Sequence, residues 1–209
     1  MGESQLAMSA AHAAAIEPEP FGMKSRKLAM WLFIIADAAT FGALLFAYGY
    51  ERAASAEWPR PFEFFPTIAN AIVMTVVLLV SSLTMLQAAS VARSEDRPGT
   101  AKWLGVTMLL GATFAVLHLR EWAAMFREGW SLSANPMGGT TEFGASFFLI
   151  TGLSILHVIA GIVALGVVAL KFRRGRLVAG HIETTGLYWH FVNLMWLFVF
   201  PLLYLMNAH

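Results

Sequence analysis

No cysteine occurs anywhere in the 209 residues. Disulfides, thiolate metal sites and thiol catalysis are therefore excluded, and thiol usage says nothing about the compartment. Charge is scarce too: 13% of the residues are Asp, Glu, Lys or Arg, where a soluble domain carries about a quarter. The formal net charge of +1 gives no reason to expect nucleic acid or an acidic substrate as a partner. What replaces charge is apolar surface, 58% of the chain, against roughly 45 to 50% in soluble proteins. A bilayer is the solvent such a composition fits.

Residues 1–23, rich in Ala and Glu with Pro18 and Pro20, lack an apolar run and a basic start, so they read as a cytoplasmic tail and not as a signal peptide. Five apolar stretches follow, at about 28–50, 67–92, 102–126, 143–170 and 186–206. Each reaches the roughly 20 residues that a helix needs to cross a hydrocarbon core of about 30 Å. A membrane barrel would alternate polar and apolar residues in stretches of about 10, and these segments are apolar on all sides. The expectation is an all-α, polytopic domain over 24–209 with five transmembrane helices. Ala54, Ser55 and Ala56 resemble a signal cleavage site, but segment 28–50 is too long for a signal and carries Asp37.

Orientation follows from where the cations fall. Placing the N-terminus inside puts Lys24, Arg26, Lys27, Arg93, Arg97, Lys102, Lys171, Arg173, Arg174 and Arg176 on the inner side, ten of the fourteen Lys and Arg. Arg52, Arg60, Arg120 and Arg127 remain outside. This is the positive-inside pattern, and an odd number of spans puts His209 outside. The patches at Lys24, Arg26 and Lys27 and at Arg173 and Arg174 are placed to meet anionic headgroups.

Ionisable groups within the spans are costly in hydrocarbon and must face a neighbouring helix or a wet cavity. At 1.5 Å per residue, Asp37 lies about 13 Å and His190 about 6 Å from the inner edge, and His157 about 20 Å down from the outer edge. Three such groups thus share the inner leaflet. Glu183 precedes His190 by two helical turns, so the pair can line one groove. His118, Arg120 and Glu121 form a second polar cluster at the outer end of the third span. Two imidazoles at similar depth, His157 and His190, are sterically able to hold a haem, but inter-helix hydrogen bonding explains them as well. Trp31, Trp103, Trp122, Trp130, Trp189 and Trp196 lie mostly near span ends, as interfacial anchors do. A small proton-coupled transporter would also bury carboxylate and imidazole, but no internal repeat is evident.

Three stretches resemble one known family. The segment from Phe143 through Thr151-Gly-Leu-Ser-Ile-Leu-His157-Val is similar to F-G-S-x-F-F-x-x-T-G-x-H-G-x-H-V. The closing Glu183-Thr-Thr-Gly-Leu-Tyr-Trp189-His190-Phe-Val-Asn193-Leu-Met-Trp196-Leu is similar to E-x-x-x-x-Y-W-H-F-V-D-x-x-W-L. The opening Lys27-Leu-Ala-Met-Trp31-Leu-Phe-Ile-Ile-Ala-Asp37 resembles K-x-x-M-W-L-F-x-x-[SA]-[ED]. These are signatures of subunit III of haem-copper respiratory oxidases, and they span 28–206.

The resemblance implies two bundles, the first two helices and the last three, opening as a V with phospholipids in the cleft. It implies a subunit with no haem, copper or other metal of its own and no catalytic residue, those redox centres residing in partner subunits. Direct packing on subunit I is implied, with subunit II, subunit IV and membrane lipids as further neighbours; membership of a respiratory supercomplex stays open. The setting would be a bacterial plasma membrane, and the role support of proton uptake and stability of the catalytic subunit. Asp37 stands at the family's carbodiimide-reactive carboxylate, and Glu183, His190, His157 and Glu121 at other recurrent polar positions. Asn193 stands where the family usually has Asp, Ser154 replaces a first His, and His118 replaces a Gln. Asp in place of Glu at 37 is shared with some quinol-oxidising members, so the electron donor stays open. A subunit III-like protein of nitric oxide reduction is the alternative.

Overall fold

The computed structural model describes residues 25–208. Five long helices dominate it: α1 (Ser25–Ala54), α2 (Ala69–Arg93), α3 (Arg97–Arg127), α4 (Glu142–Arg173) and α5 (Ala179–Leu203). A helical turn, Phe64–Ile68, leads into α2, and a 3₁₀ turn, Leu205–Asn207, follows α5. All five spans are long and apolar enough to cross a membrane. The helices outrun the apolar stretches: α4 has 32 residues, about 48 Å of rise, so its ends reach past the hydrocarbon. The fifth begins seven residues before its predicted start at 186, at Ala179, which brings Glu183 onto the same helix as His190.

Local chemistry sets the ends. Asp96 accepts from the backbone N–H of Gly99 at 3.0 Å, and Pro98 occupies the first turn, where a missing N–H costs nothing. α3 and α4 close with the same device. Gly129 (φ +92°) and Gly175 (φ +70°) take the left-handed position after the helix. Their N–H groups reach Phe126 and Phe172, and those of Trp130 and Arg176 reach Met125 and Lys171. Both pairs of bonds satisfy carbonyls that the helix end leaves open.

α2 packs chiefly on α3 and α5, α4 on α3 and α5, and α1 lies against α4 and α5. The expected pairing of the first two helices as a bundle of their own is therefore unsupported: a cleft of about 610 Å³ separates α1 from α2, with α5 forming its floor. α1 is peripheral. Only Ile34, Phe41 and Tyr48 of its 30 residues are buried, one stripe at seven-residue spacing, while Leu32, Ile35 and Phe46 are exposed. With lipid as the outer solvent there is no apolar penalty for that outward face, and close packing and hydrogen bonds must hold the helices together.

Tryptophan supplies both. Trp189 and Trp196 are among the most deeply buried side chains, which corrects their reading as interfacial anchors. The indole of Trp189 fits between α3 and α4 because Gly111 and Gly161 leave room for it. Its N–H donates to Ser81 Oγ at 3.1 Å, that of Trp196 to Thr75 Oγ1 at 2.9 Å, and that of Trp122 to Thr151 Oγ1 at 3.1 Å. Thr84 and Thr107 join α2 to α3 through their hydroxyls at 2.8 Å.

Candidate functional site

Asp37 on α1 and His157 on α4 meet. His157 Nε2 lies 3.1 Å from Asp37 Oδ2, both side chains being nearly buried. The other ring nitrogen, Nδ1, lies 2.7 Å from the Leu153 carbonyl. A carbonyl only accepts, so Nδ1 carries a hydrogen. Nε2 is then the ring nitrogen left to face the carboxyl, at ion-pair distance. The junction is closed by the edge of Phe41 against the imidazole, centroids 5.5 Å apart, and by Tyr188 of α5, whose hydroxyl donates to the His157 carbonyl at 3.0 Å.

Glu183 and His190 share the cleft, as their spacing on one helix face implies. The cleft wall includes Arg26 and Lys27 from α1 and Arg93 from α2, over an apolar floor that includes Leu86 and Leu187. Arg93 Nε donates to Glu183 Oε1 at 2.8 Å. His190 Nδ1 is 3.3 Å from Ser82 Oγ, which also accepts from Asn193 Nδ2 at 2.6 Å. Asn193, an amide where an acid is usual, thus serves as a donor across the α2–α5 contact. His157 and His190 contact different helices, α1 and α2.

The outer cluster divides. His118 and Glu121 are buried, whereas Arg120 is exposed on the other side of α3, because residues one or two apart on a helix do not share a face. Glu121 Oε2 accepts from Asn70 Nδ2 at 3.2 Å. His118 sits among Phe114, Trp122 and Trp196, with centroids 5.4 to 5.9 Å away. Among the basic residues assigned to headgroups, Arg26 and Lys27 line the cleft. Arg173 and Arg174 are exposed at the end of α4 and do not line it. Lys24 lies outside the described residues, as do the 1–23 tail and His209.

Sequence reasoning missed a buried amide, Asn207. Its Nδ2 donates to Tyr48 Oη and the Leu203 carbonyl, each at 2.6 Å. Its Oδ1 accepts from Trp58 Nε1 at 3.0 Å and from Arg52 Nη1. Tyr48, Arg52, Trp58 and the chain end are thereby tied together. A lone Asn after the last apolar run gives no periodic signal, so only the fold reveals it.

A multi-pass helical membrane protein, with a carboxyl–imidazole pair inside the bundle and a cation-rimmed cleft at one end, is the class these features define. A family model described as cytochrome c oxidase subunit III matches residues 7–208. The chain is 32% identical over 181 residues to cytochrome bo(3) ubiquinol oxidase subunit 3 of Pseudomonas aeruginosa, covering 85% of this chain and 83% of that protein. It is 31% identical over 183 residues to quinol oxidase subunit 3 of Bacillus spizizenii, covering 86% of each. Against cytochrome c oxidase subunit 3 of Synechocystis it is 30% identical over 188 residues, covering 87% of this chain and 76% of that protein. The chain belongs to the subunit III family of the haem-copper oxidases.

Proposed function

We propose that this chain is the accessory subunit III of a proton-pumping haem-copper terminal oxidase in a bacterial plasma membrane. It holds no redox centre; haem and copper belong to its partners, and it packs directly on the catalytic subunit I, with subunit II and subunit IV nearby. Its N-terminus is cytoplasmic and its C-terminus periplasmic. The bacterial relatives, named as subunits of quinol and cytochrome c oxidases, support the setting. The ten cations assigned to the inner side support the orientation.

The observation that carries the role is the Asp37–His157 contact, 3.1 Å across the α1–α4 junction. With the N-terminus inside, the pair lies in the inner half of the bilayer, the side from which such an enzyme draws protons. The cleft between α1 and α2, with Arg26, Lys27 and Arg93 above an apolar floor, suits a phospholipid whose phosphate meets the cations and whose chains lie on the floor. The subunit thus supports local proton supply and holds lipid against the complex, and it helps catalysis indirectly.

Replacing Asp37 with Ala tests this. The complex is expected to assemble with its full haem content and an unchanged initial rate, and then to lose activity in fewer turnovers than the wild type. A turnover lifetime equal to the wild type's removes the functional role of the pair.

A further inference from the structure

The cleft between α1 and α2 is unevenly charged. Three cations line it, Arg26, Lys27 and Arg93, against one carboxylate, Glu183. That carboxylate is engaged with Arg93 through Nε alone, at 2.8 Å. A guanidinium has five N–H donors in a planar fork, and among the described residues both Nη nitrogens of Arg93 have no protein acceptor. Arg26 and Lys27 likewise form no hydrogen bond or ion pair there. Glu183 and Arg93 stand on different helices, α5 and α2, so the pair fixes a long, exposed side chain against the cleft floor.

We infer that Glu183 is a positioning residue for anion recognition in the cleft: by holding Arg93 at Nε it presents the paired Nη edge to the phosphate of a lipid with net negative charge. The inference rests on the lipid-binding reading of the cleft and adds the residue that decides which lipids it takes. The alternative for a carboxylate in a basic site is plain repulsion of anions. The two roles differ in sign. If Glu183 only repels, removing its charge strengthens anion binding whatever replaces it. If it positions, a replacement that keeps an acceptor oxygen keeps selectivity, and one that lacks it loses selectivity. A lipid with phosphate and no compensating amine matches the charge surplus; a zwitterionic headgroup brings a cation into a site already rich in them.

The test uses the whole oxidase complex, purified through a tag on this chain and placed in nanodiscs of equal phosphatidylglycerol and phosphatidylcholine. Lipid that stays bound after detergent stripping is counted by mass spectrometry. The wild type is expected to retain phosphatidylglycerol preferentially. Arg93→Gln should lower that preference about fivefold, the factor expected for one cation at a membrane surface. Glu183→Ala should lower it toward the same level, Glu183→Gln should hold it at or above the wild-type ratio, and Arg127→Gln, at the opposite end of the bundle, should leave it alone. A Glu183→Ala ratio equal to or above the wild type's overturns the positioning role. If that variant does not assemble, the exchanged pair Arg93→Glu with Glu183→Arg decides: it keeps the ion pair and the net charge, moves the guanidinium to α5, and should lose the preference. Retention of the preference in that pair overturns the inference. An unchanged ratio in Arg93→Gln, with the complex intact, instead removes the lipid reading beneath it.

Discussion

Asp37 and His157 meet 3.1 Å apart across the α1–α4 contact, and that geometry makes the pair sensitive to the loss of either member. The carboxyl belongs to a helix with only three buried residues, so the polar contact helps to hold α1 against α4. A cycle of Asp37→Asn, His157→Gln and the double variant, followed by thermal denaturation of the complex, should give a coupling of about 0.5 to 2 kcal/mol. Strictly additive losses would show that the two residues act apart. That the two residues lie at a similar level of the bundle was legible in the sequence. Their contact was not, because which helices become neighbours is settled by packing of the whole bundle. Arg120 shows the reverse failure: nearness in sequence to His118 and Glu121 suggested one cluster, and helical geometry turned it to the opposite side.

Helix positions were readable to within a few residues at most ends, since apolar runs and basic flanks mark where a span enters and leaves the membrane. Tryptophan was harder. Position near a span end is the ordinary sign of an interfacial anchor, yet Trp189 and Trp196 are buried, and the sign of that lies on other helices, in Gly111, Gly161, Ser81 and Thr75. A Cβ at position 161 would stand 2.8 Å from Cε3 of Trp189, whereas one at position 42 meets nothing within 4 Å. Gly161→Ala should therefore destabilise the complex by about 1 to 3 kcal/mol, and Gly42→Ala should leave its melting temperature unchanged or raise it slightly. Equal effects at the two sites would contradict the close seating of Trp189 against α4.

For the molecule as a whole, five antiparallel spans bring the N-terminal ends of α1, α3 and α5 to one side together with the C-terminal ends of α2 and α4. Those ends gather Arg26, Lys27, Arg93, Arg97, Lys171, Arg173 and Arg174, so the cleft, its cations and the bulk of the positive charge share one face. The division into two and three helices was an expectation about bundle pairing that no sequence pattern encodes; the helix contacts leave it unconfirmed, and a cleft opens between α1 and α2. The absence of cysteine makes orientation directly testable. Single cysteines at Ser94 and Ser133 lie in loops at opposite ends of the bundle, and an impermeant maleimide added to intact cells should label Ser133→Cys and spare Ser94→Cys. The opposite labelling would invert the topology. The most direct test of the central claim is copurification through a tag on this chain. The eluate should contain a haem-copper catalytic subunit, with the visible spectrum of its haems, in fixed ratio to the chain. Recovery of the chain alone from membranes that retain active oxidase would contradict the assignment.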